Sequence, residues 1–403
     1  MFKAGLQKRA ECLATTGGRA SPRAARTVSL KGRNAFWMLT ALLVVAGGVC
    51  CCWAEGQRQG TSVTPNPHRV YSDGRPSPVY RLEAVDAGRV LRHGDGPGEC
   101  DINGMREASV IEHKGTYYLY YDGCAPKGWV ACLATSTDLS HWTKHGPKLT
   151  LGEDGEDDSG TASSPWFARD DEGMWHMFYV SCRQTTPPPS SIPALPYTVS
   201  KARAVSLAGP WEKQKEVIPF RPAPGTYNAG TACPGFIVSR GGEHLMFYSA
   251  ASGRPFKRTL ALARTRELNG VWQVAPEPLF PLDEQIENSS LYFEPSNQTW
   301  FLFTNHIGVN EQGAEYTDAI WVYWSKDLEH WDASRKAVVL DGRNCGWSKA
   351  CLGMPSVIRK GDQLAVLYDA PGGESADHMK RDIGLAWLSL PLVPPEDGLH
   401  ANQ

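Results

Sequence analysis

The chain has 403 residues, with 41 Lys and Arg balanced against 43 Asp and Glu and no block of like charge, which excludes a nucleic-acid or other polyphosphate partner. Its 14 Trp and 14 Tyr are side chains that stack on the apolar faces of sugar rings as readily as they fill a core. The length permits one all-β domain, because closed β architectures often run longer than the usual domain.

In chain order, the first distinct segment is residues 1–54. A basic stretch with Arg19, Arg23, Arg26, Lys31 and Arg33 precedes an apolar run from Ala35 to Val49, followed by Cys50, Cys51, Cys52, Trp53 and Ala54. The run of about 15 apolar residues is shorter than the ~20 that span a bilayer, so it reads as an export signal cleaved after Ala54, with a signal anchor as the variant. A secreted or periplasmic location follows, with no stable membrane partner. The basic segment is long for a signal, which allows a start codon further in. Residues 55–77 then read as a linker, 78–392 as the folded domain and 393–403 as a tail.

From residue 79 the segment VYRLEAVDAGRVLRHG offers a strand with no obvious partner of its own. Five strands rich in β-branched and aromatic residues follow: TYYLYYDG at 116, MWHMFYVS at 174, EHLMFYSA at 243, TWFLFTN at 299 and QLAVLYDA at 363. Each is preceded by a polar or Gly-bearing turn, as a hairpin needs. A phrase recurs between them: STDLSHW at 136 returns as SKDLEHW at 325, with looser copies TRELNGVW at 265 and SLAGPW at 206. The closing tryptophans, Trp142, Trp211, Trp272 and Trp331, are spaced by 69, 61 and 59 residues, a period that suits one four-stranded unit with a long loop. The fifth unit ends in DIGLAWLSLPL and lacks an outer strand, which the segment before the first unit can supply. The pattern predicts an all-β, five-bladed β-propeller with its ring closed by an N-terminal strand. A β-sandwich with chance Trp spacing is the plainer alternative.

Seven cysteines lie beyond the signal. The near pairs Cys124 with Cys132 and Cys345 with Cys351 are the expected disulfides, leaving at least one of Cys100, Cys182 and Cys233 free. Two stretches read as rim elaborations: the proline-rich 183–200 and the polar insertion 305–319. Arg254, Phe256, Lys257 and Arg258 form a basic turn that could meet a sulfated or uronic sugar, although a solvated loop is the more economical account.

The opening unit REASVIEHKGTYYLYYDG and the S-x-D-L-x-x-W phrase resemble the five-bladed propeller glycoside hydrolases of families 43, 32 and 117, and the related mannoside phosphorylases. The resemblance covers about residues 80–390. It implies a central funnel lined by the innermost strand of each blade, with catalytic carboxylates on those strands. It places Glu107 where the first-blade carboxylate stands, with Asp101 as competitor. The second and third strands, SSPWF and CPGFI, carry no carboxylate and so depart from the pattern. Asp158 before the second strand, Glu287 at the start of the fourth, and His306, matching the histidine acid of family 117, complete the catalytic candidates. Arg106, Asp122, Trp166, Asn305 and Asp369 are the expected sugar-binding residues. For each acidic residue the structural account is a turn cap or an ion pair. The resemblance allows an axial calcium ion, but no ligand spacing calls for a metal, and no cofactor is expected.

The resulting expectation is an exported, family-43-like glycoside hydrolase acting on a plant or algal oligo- or polysaccharide by inversion, with Glu107 or Asp101 as base. A mannoside-type phosphorylase, which needs Arg, Lys and His at the funnel, and a non-catalytic sugar-binding propeller are the alternatives.

Overall fold

The computed structural model describes residues 61–395 apart from 68–70, 72–73, 76, 188–190, 255 and 310–314. The expected export signal, and all but the first three residues of the expected tail, lie outside the described residues. Two short strands, β1 (Val63–Pro65) and β2 (Tyr80–Leu82), and a longer one, β3 (Val85–Leu91), come first. β1 falls in the segment expected to be a linker.

The strands then come in antiparallel fours. The first meander is β4 (Met105–His113), β5 (Thr116–Ala125), β6 (Gly128–Ser136) and β7 (Thr143–Pro147). The second is β8 (Thr161–Arg169), β9 (Trp175–Cys182), β10 (Thr198–Ala204) and β11 (Glu212–Lys213). The third is β12 (Thr231–Arg240), β13 (Glu243–Ala251), β14 (Arg258–Thr265) and β15 (Gln273–Val274). The fourth is β16 (Ile286–Glu294), β17 (Thr299–Val309), β18 (Glu315–Ser325) and β19 (Lys336–Asp341), extended at its edge by β2 and β1. The last contains β20 (Ser356–Lys360), β21 (Gln363–Ala370) and β22 (Asp382–Ser389). Its fourth place is taken by β3, antiparallel to β22 with Leu91 opposite Ile383 and Val85 opposite Trp387.

Local chemistry accounts for these elements. The second strands are apolar on successive residues because both of their faces are covered. Two-residue turns join some first and second strands: Lys114 and Gly115 have φ of 52° and 79°, and Gly241 and Gly242 of 61° and 76°, as a type I′ hairpin requires. The recurring phrase is a turn. Ser136 Oγ accepts the amides of Asp138 and Leu139, Asp138 Oδ1 accepts those of Ser140 and His141, and Trp142 Nε1 donates to the Leu139 carbonyl at 2.9 Å. Ser325, Asp327 and Trp331 repeat the arrangement, with buried Leu328 in the place of Leu139.

Buried apolar clusters fill the space between consecutive meanders. Tyr120, Leu133 and Met177 join the first to the second, Phe178, Met246 and Tyr248 the second to the third, and Phe247, Leu302 and Trp321 the third to the fourth. Phe301, Val322 and Val366 join the fourth to the last, and Leu367, Leu119 and Tyr121 the last to the first. The first strands accordingly neighbour one another in the order β4, β8, β12, β16, β20 and back to β4.

The expected disulfides are corrected by the ladders: all seven described cysteines are free thiols. In the β5–β6 register Cys124 faces Trp129 while Cys132 faces Tyr121, three rungs away. Three residues along a strand span about 10 Å, beyond the reach of a disulfide. Cys345 and Cys351 turn to different partners, the Tyr368 hydroxyl at 3.4 Å and the Thr317 hydroxyl at 3.2 Å. Thiol titration in denaturant of a chain starting at residue 61 should therefore count all seven sulfurs as reactive, and bridged peptides in a non-reduced digest would contradict this.

Candidate active site

Four of the five first strands share a bulge. Pairing with the second strand slips between Arg106 and Ser109, Ser163 and Trp166, Cys233 and Phe236, and Glu287 and Ser290. At three of these slips a non-glycine residue takes a left-handed backbone: Glu107 (φ 52°), Ser164 (48°) and Asn288 (61°). Such a conformation costs about 1–2 kcal/mol per residue and persists where its surroundings hold it. Here each bulge amide donates to a side chain on the second strand of the preceding meander. Glu107 N donates to Asp369 Oδ2 at 2.9 Å, Ser164 N to Asp122 Oδ1, and Asn288 N to Ser249 Oγ at 2.8 Å. Asp122 and Asp369, expected to bind sugar, thus hold the backbone of the neighbouring sheet. Gly353 must be glycine for the same reason, since a Cβ there would lie 2.1 Å from Asp369 Oδ1.

The bulges of β4 and β16 open onto a cavity of about 550 Å³. Glu107 and Glu287 both line it, with Arg106, Asn305 and Asp369 of the expected residues and with Arg258, Glu315, His378 and Arg381, which were not assigned to the site. Ile192 and Tyr197 of the proline-rich stretch, and Glu315, Tyr316 and Thr317 of the β17–β18 hairpin, contribute to its wall.

The two glutamates differ in surroundings. Glu287 Oε2 pairs with Arg258 Nη1 at 2.9 Å, and Arg258 also forks onto Glu315 at 3.1 and 2.7 Å. Burial nevertheless raises the Glu287 carboxyl above its ordinary pKa, opposed by Arg258 and assisted by the nearby Glu107 charge. Glu107 Oε2 accepts the Ser164 hydroxyl at 2.7 Å, and the same hydroxyl lies 2.7 Å from Asp122 Oδ2. Burial first, and the Glu107 charge second, push Asp122 up to about 8. A protonated Asp122 donates to Ser164 Oγ, which leaves the serine proton for Glu107, a one-way chain of donors ending on that carboxylate.

A pH effect follows. Asp titrates near 3.9 when unfolded, so between roughly pH 4 and 8 the folded chain holds a proton on Asp122 that the unfolded chain has released. Raising the pH then favours unfolding. Asp122→Asn removes this dependence, so the drop in urea-unfolding stability from pH 5 to pH 8 should shrink by at least about 1 kcal/mol. An unchanged drop would contradict the assignment.

The other expected catalytic residues lie elsewhere. Asp101 is fully buried: Oδ1 accepts the amides of Gly94 and Gly96, and Oδ2 accepts Tyr121 OH at 3.1 Å and Lys144 Nζ at 2.6 Å. Asp158 Oδ2 accepts Tyr179 OH at 2.8 Å and Lys213 Nζ at 2.5 Å, and Glu284 Oε2 accepts Tyr323 OH at 2.8 Å and Lys336 Nζ at 2.5 Å. In each case a carboxylate before the first strand clamps a strand tyrosine and a fourth-strand lysine. His306 is also fully buried. It stacks on Trp321 with centroids 4.1 Å apart, its Nδ1 lies 2.6 Å from Asp318, and Arg75 donates to Nε2 and to the Ile307 carbonyl. Strand alternation sends Asn305 and Ile307 to the cavity and His306 to the opposite face. Trp166 is buried edge-on against Phe236 and does not line the cavity.

The basic turn is also corrected. Arg258 is part of the cavity wall rather than a solvated loop, while Lys257 pairs with Asp283. His378, on the loop after β21, accepts from Arg381 Nη2 at Nδ1 (3.1 Å), and burial beside Arg381 and Arg106 pushes it down to about 4. It is therefore neutral near pH 7 with its proton on Nε2. No three His, Cys, Asp or Glu side chains among the described residues are gathered as a metal ion needs. Nor is any described helix long and apolar enough to cross a membrane.

No family model and no curated protein matches the chain. Solved structures do. A glycoside hydrolase aligns over 77% of this chain and 93% of its own at 15% identity and a TM-score of 0.57. The catalytic domain of the Coprinopsis cinerea GH62 α-L-arabinofuranosidase aligns over 76% and 96% at 12% identity and 0.55. A family 117 glycoside hydrolase from the marine bacterium Zobellia galactanivorans aligns over 80% and 99% at 16% identity and 0.53. The chain shares the all-β fold of these propeller glycoside hydrolases.

Proposed function

We propose that the chain is an exported glycoside hydrolase built as a five-bladed propeller, in which Glu287 is the general acid and Glu107 the general base. The blade reading is supported by the five meanders, by the cyclic adjacency of their first strands and by β3 completing the last sheet. The chemistry rests on one observation above all: two bulge glutamates from different sheets share a cavity, one with its carboxyl raised by burial and the other at the end of a donor chain.

Hydrolysis needs these opposed protonation states. Glu287 gives its proton to the glycosidic oxygen as the bond to the anomeric carbon breaks. Water attacks that carbon from the other face, and Glu107 takes the water's proton. Inversion, which needs two carboxyl groups about 6.5–9.5 Å apart, is the course we favour for groups carried on separate sheets. An oligosaccharide or polysaccharide of plant or algal origin is the substrate class, and export follows from the basic and apolar composition of residues 1–54.

The arginines and His378 in the same wall favour one second reading, a phosphorylase in which inorganic phosphate replaces water. A glycan panel incubated with and without phosphate separates the two. Free sugar released equally in both supports hydrolysis, sugar phosphate formed only with phosphate supports the second reading, and no product in either contradicts both.

A further inference from the structure

The three arginines in the cavity wall are not equivalent. Arg258 is forked onto Glu315 and paired with Glu287. Arg381 donates through Nη1 to Asp369 at 2.7 Å, through Nε to the Asp377 carbonyl at 3.0 Å and through Nη2 to His378. Arg106 is different. Its Nε is buried with no hydrogen-bond partner among the described residues, and its ion pair with Glu107 is a loose 3.7 Å contact. Its guanidinium is nonetheless fixed in place, lying 4.3 Å over the ring of the fully buried Trp129. Trp129 is itself held by a 2.8 Å bond from Nε1 to the Ser191 carbonyl.

A buried donor without an acceptor costs stability unless something supplies one. A guanidinium pre-set on an aromatic face loses little freedom when a planar anion meets its fork. We propose that Arg106, with His378 and Arg381 beside it, forms an anion subsite in the cavity, and that the substrate is a glycan carrying a uronic-acid carboxylate next to the bond that is cut. This rests on the glycosidase reading and adds the class of sugar. Neutral His378 presents an Nε2 proton as a further donor, and Arg381 adds positive charge behind it. Glu107, one residue from Arg106, sets the carboxylate close to the reacting centre and so ties recognition to chemistry.

The test uses one pool of uronic-acid oligosaccharides and the same pool after its carboxyl groups are reduced to neutral hydroxymethyl groups, with inorganic phosphate as a third ligand. Binding is followed by calorimetry and hydrolysis by released sugar, for the wild type, Arg106→Gln and Arg106→Lys. The acidic pool should bind at least about 10-fold more tightly than the reduced pool, roughly the worth of hydrogen bonds to a charged group. That ratio should collapse in Arg106→Gln and recover in part in Arg106→Lys, which keeps the charge but not the fork. Equal binding of the two pools, or phosphate binding in preference to the acidic pool, would overturn the proposal. Acidic-pool binding without release of sugar would keep the subsite and remove the glycosidase reading, whereas hydrolysis of both pools alike would do the reverse.

Discussion

Replacing Glu107 by Gln should lower turnover at least about 100-fold, the usual contribution of a general acid or base, with the fold intact. The expected effect is large because the change is small in shape. The Gln amide oxygen still accepts the Ser164 hydroxyl, and the backbone still carries the left-handed bulge stapled to Asp369. What disappears is the ability to take a proton. The defect should therefore fall on kcat with KM little changed, and thermal unfolding should stay near that of the wild type. Loss of stability in place of loss of turnover would show that Glu107 serves the bulge and not the reaction.

The opposite signature is expected at Asp101. Asp101→Ala should cost about 3–5 kcal/mol of stability, as removal of one partner from a buried ion pair does. The variant leaves Lys144 without its inner partner and the amide of Gly96 without its acceptor, while Gly94 keeps only its bond to the carbonyl at 101. The folded fraction should keep a turnover within a few-fold of the wild type, because Asp101 does not line the cavity. Urea unfolding read beside activity separates the outcomes. A stable but inactive Asp101→Ala protein would return Asp101 to the catalytic machinery.

The contrast between these residues shows how far the sequence could be read. The four-strand period was legible because the Ser-x-Asp-Leu turn repeats its chemistry at 136 and at 325, where hydroxyl, carboxylate and indole all bond to the backbone of the turn. Glu107 and Glu287 were legible because a charged residue at the start of a buried strand needs a reason to be there. Asp101 and Asp158 look the same in sequence, being carboxylates just ahead of a first strand. What separates them is the lysine and tyrosine each clamps, 43 and 20 residues away for Asp101, and no local pattern reports that. His306 is a candidate through the resemblance alone, and the two-residue period that gives Asn305 and Ile307 to the cavity turns it to the opposite face.

Arg258, His378 and Arg381 had a weaker signal. Arg258 sits at a strand start amid a basic turn, and His378 and Arg381 lie on an irregular loop without periodicity. Aligning the five second strands sets Asp122, Ser181, Ser249, Asn305 and Asp369 at one position, three of them already candidates. The disulfides failed for a physical reason too. Nearness along the chain says little about sulfur reach when a hairpin register sets residues three rungs apart.

The most direct test is the structure of the Glu107→Gln protein with a bound oligosaccharide. The expected result is a sugar in the cavity between β4 and β16, its glycosidic oxygen within hydrogen-bond reach of the Glu287 carboxyl and its anomeric carbon facing the side chain at 107. A sugar held elsewhere on the molecule, or one in the cavity with neither residue near the bond to be cut, would contradict the assignment of Glu107 and Glu287 as base and acid.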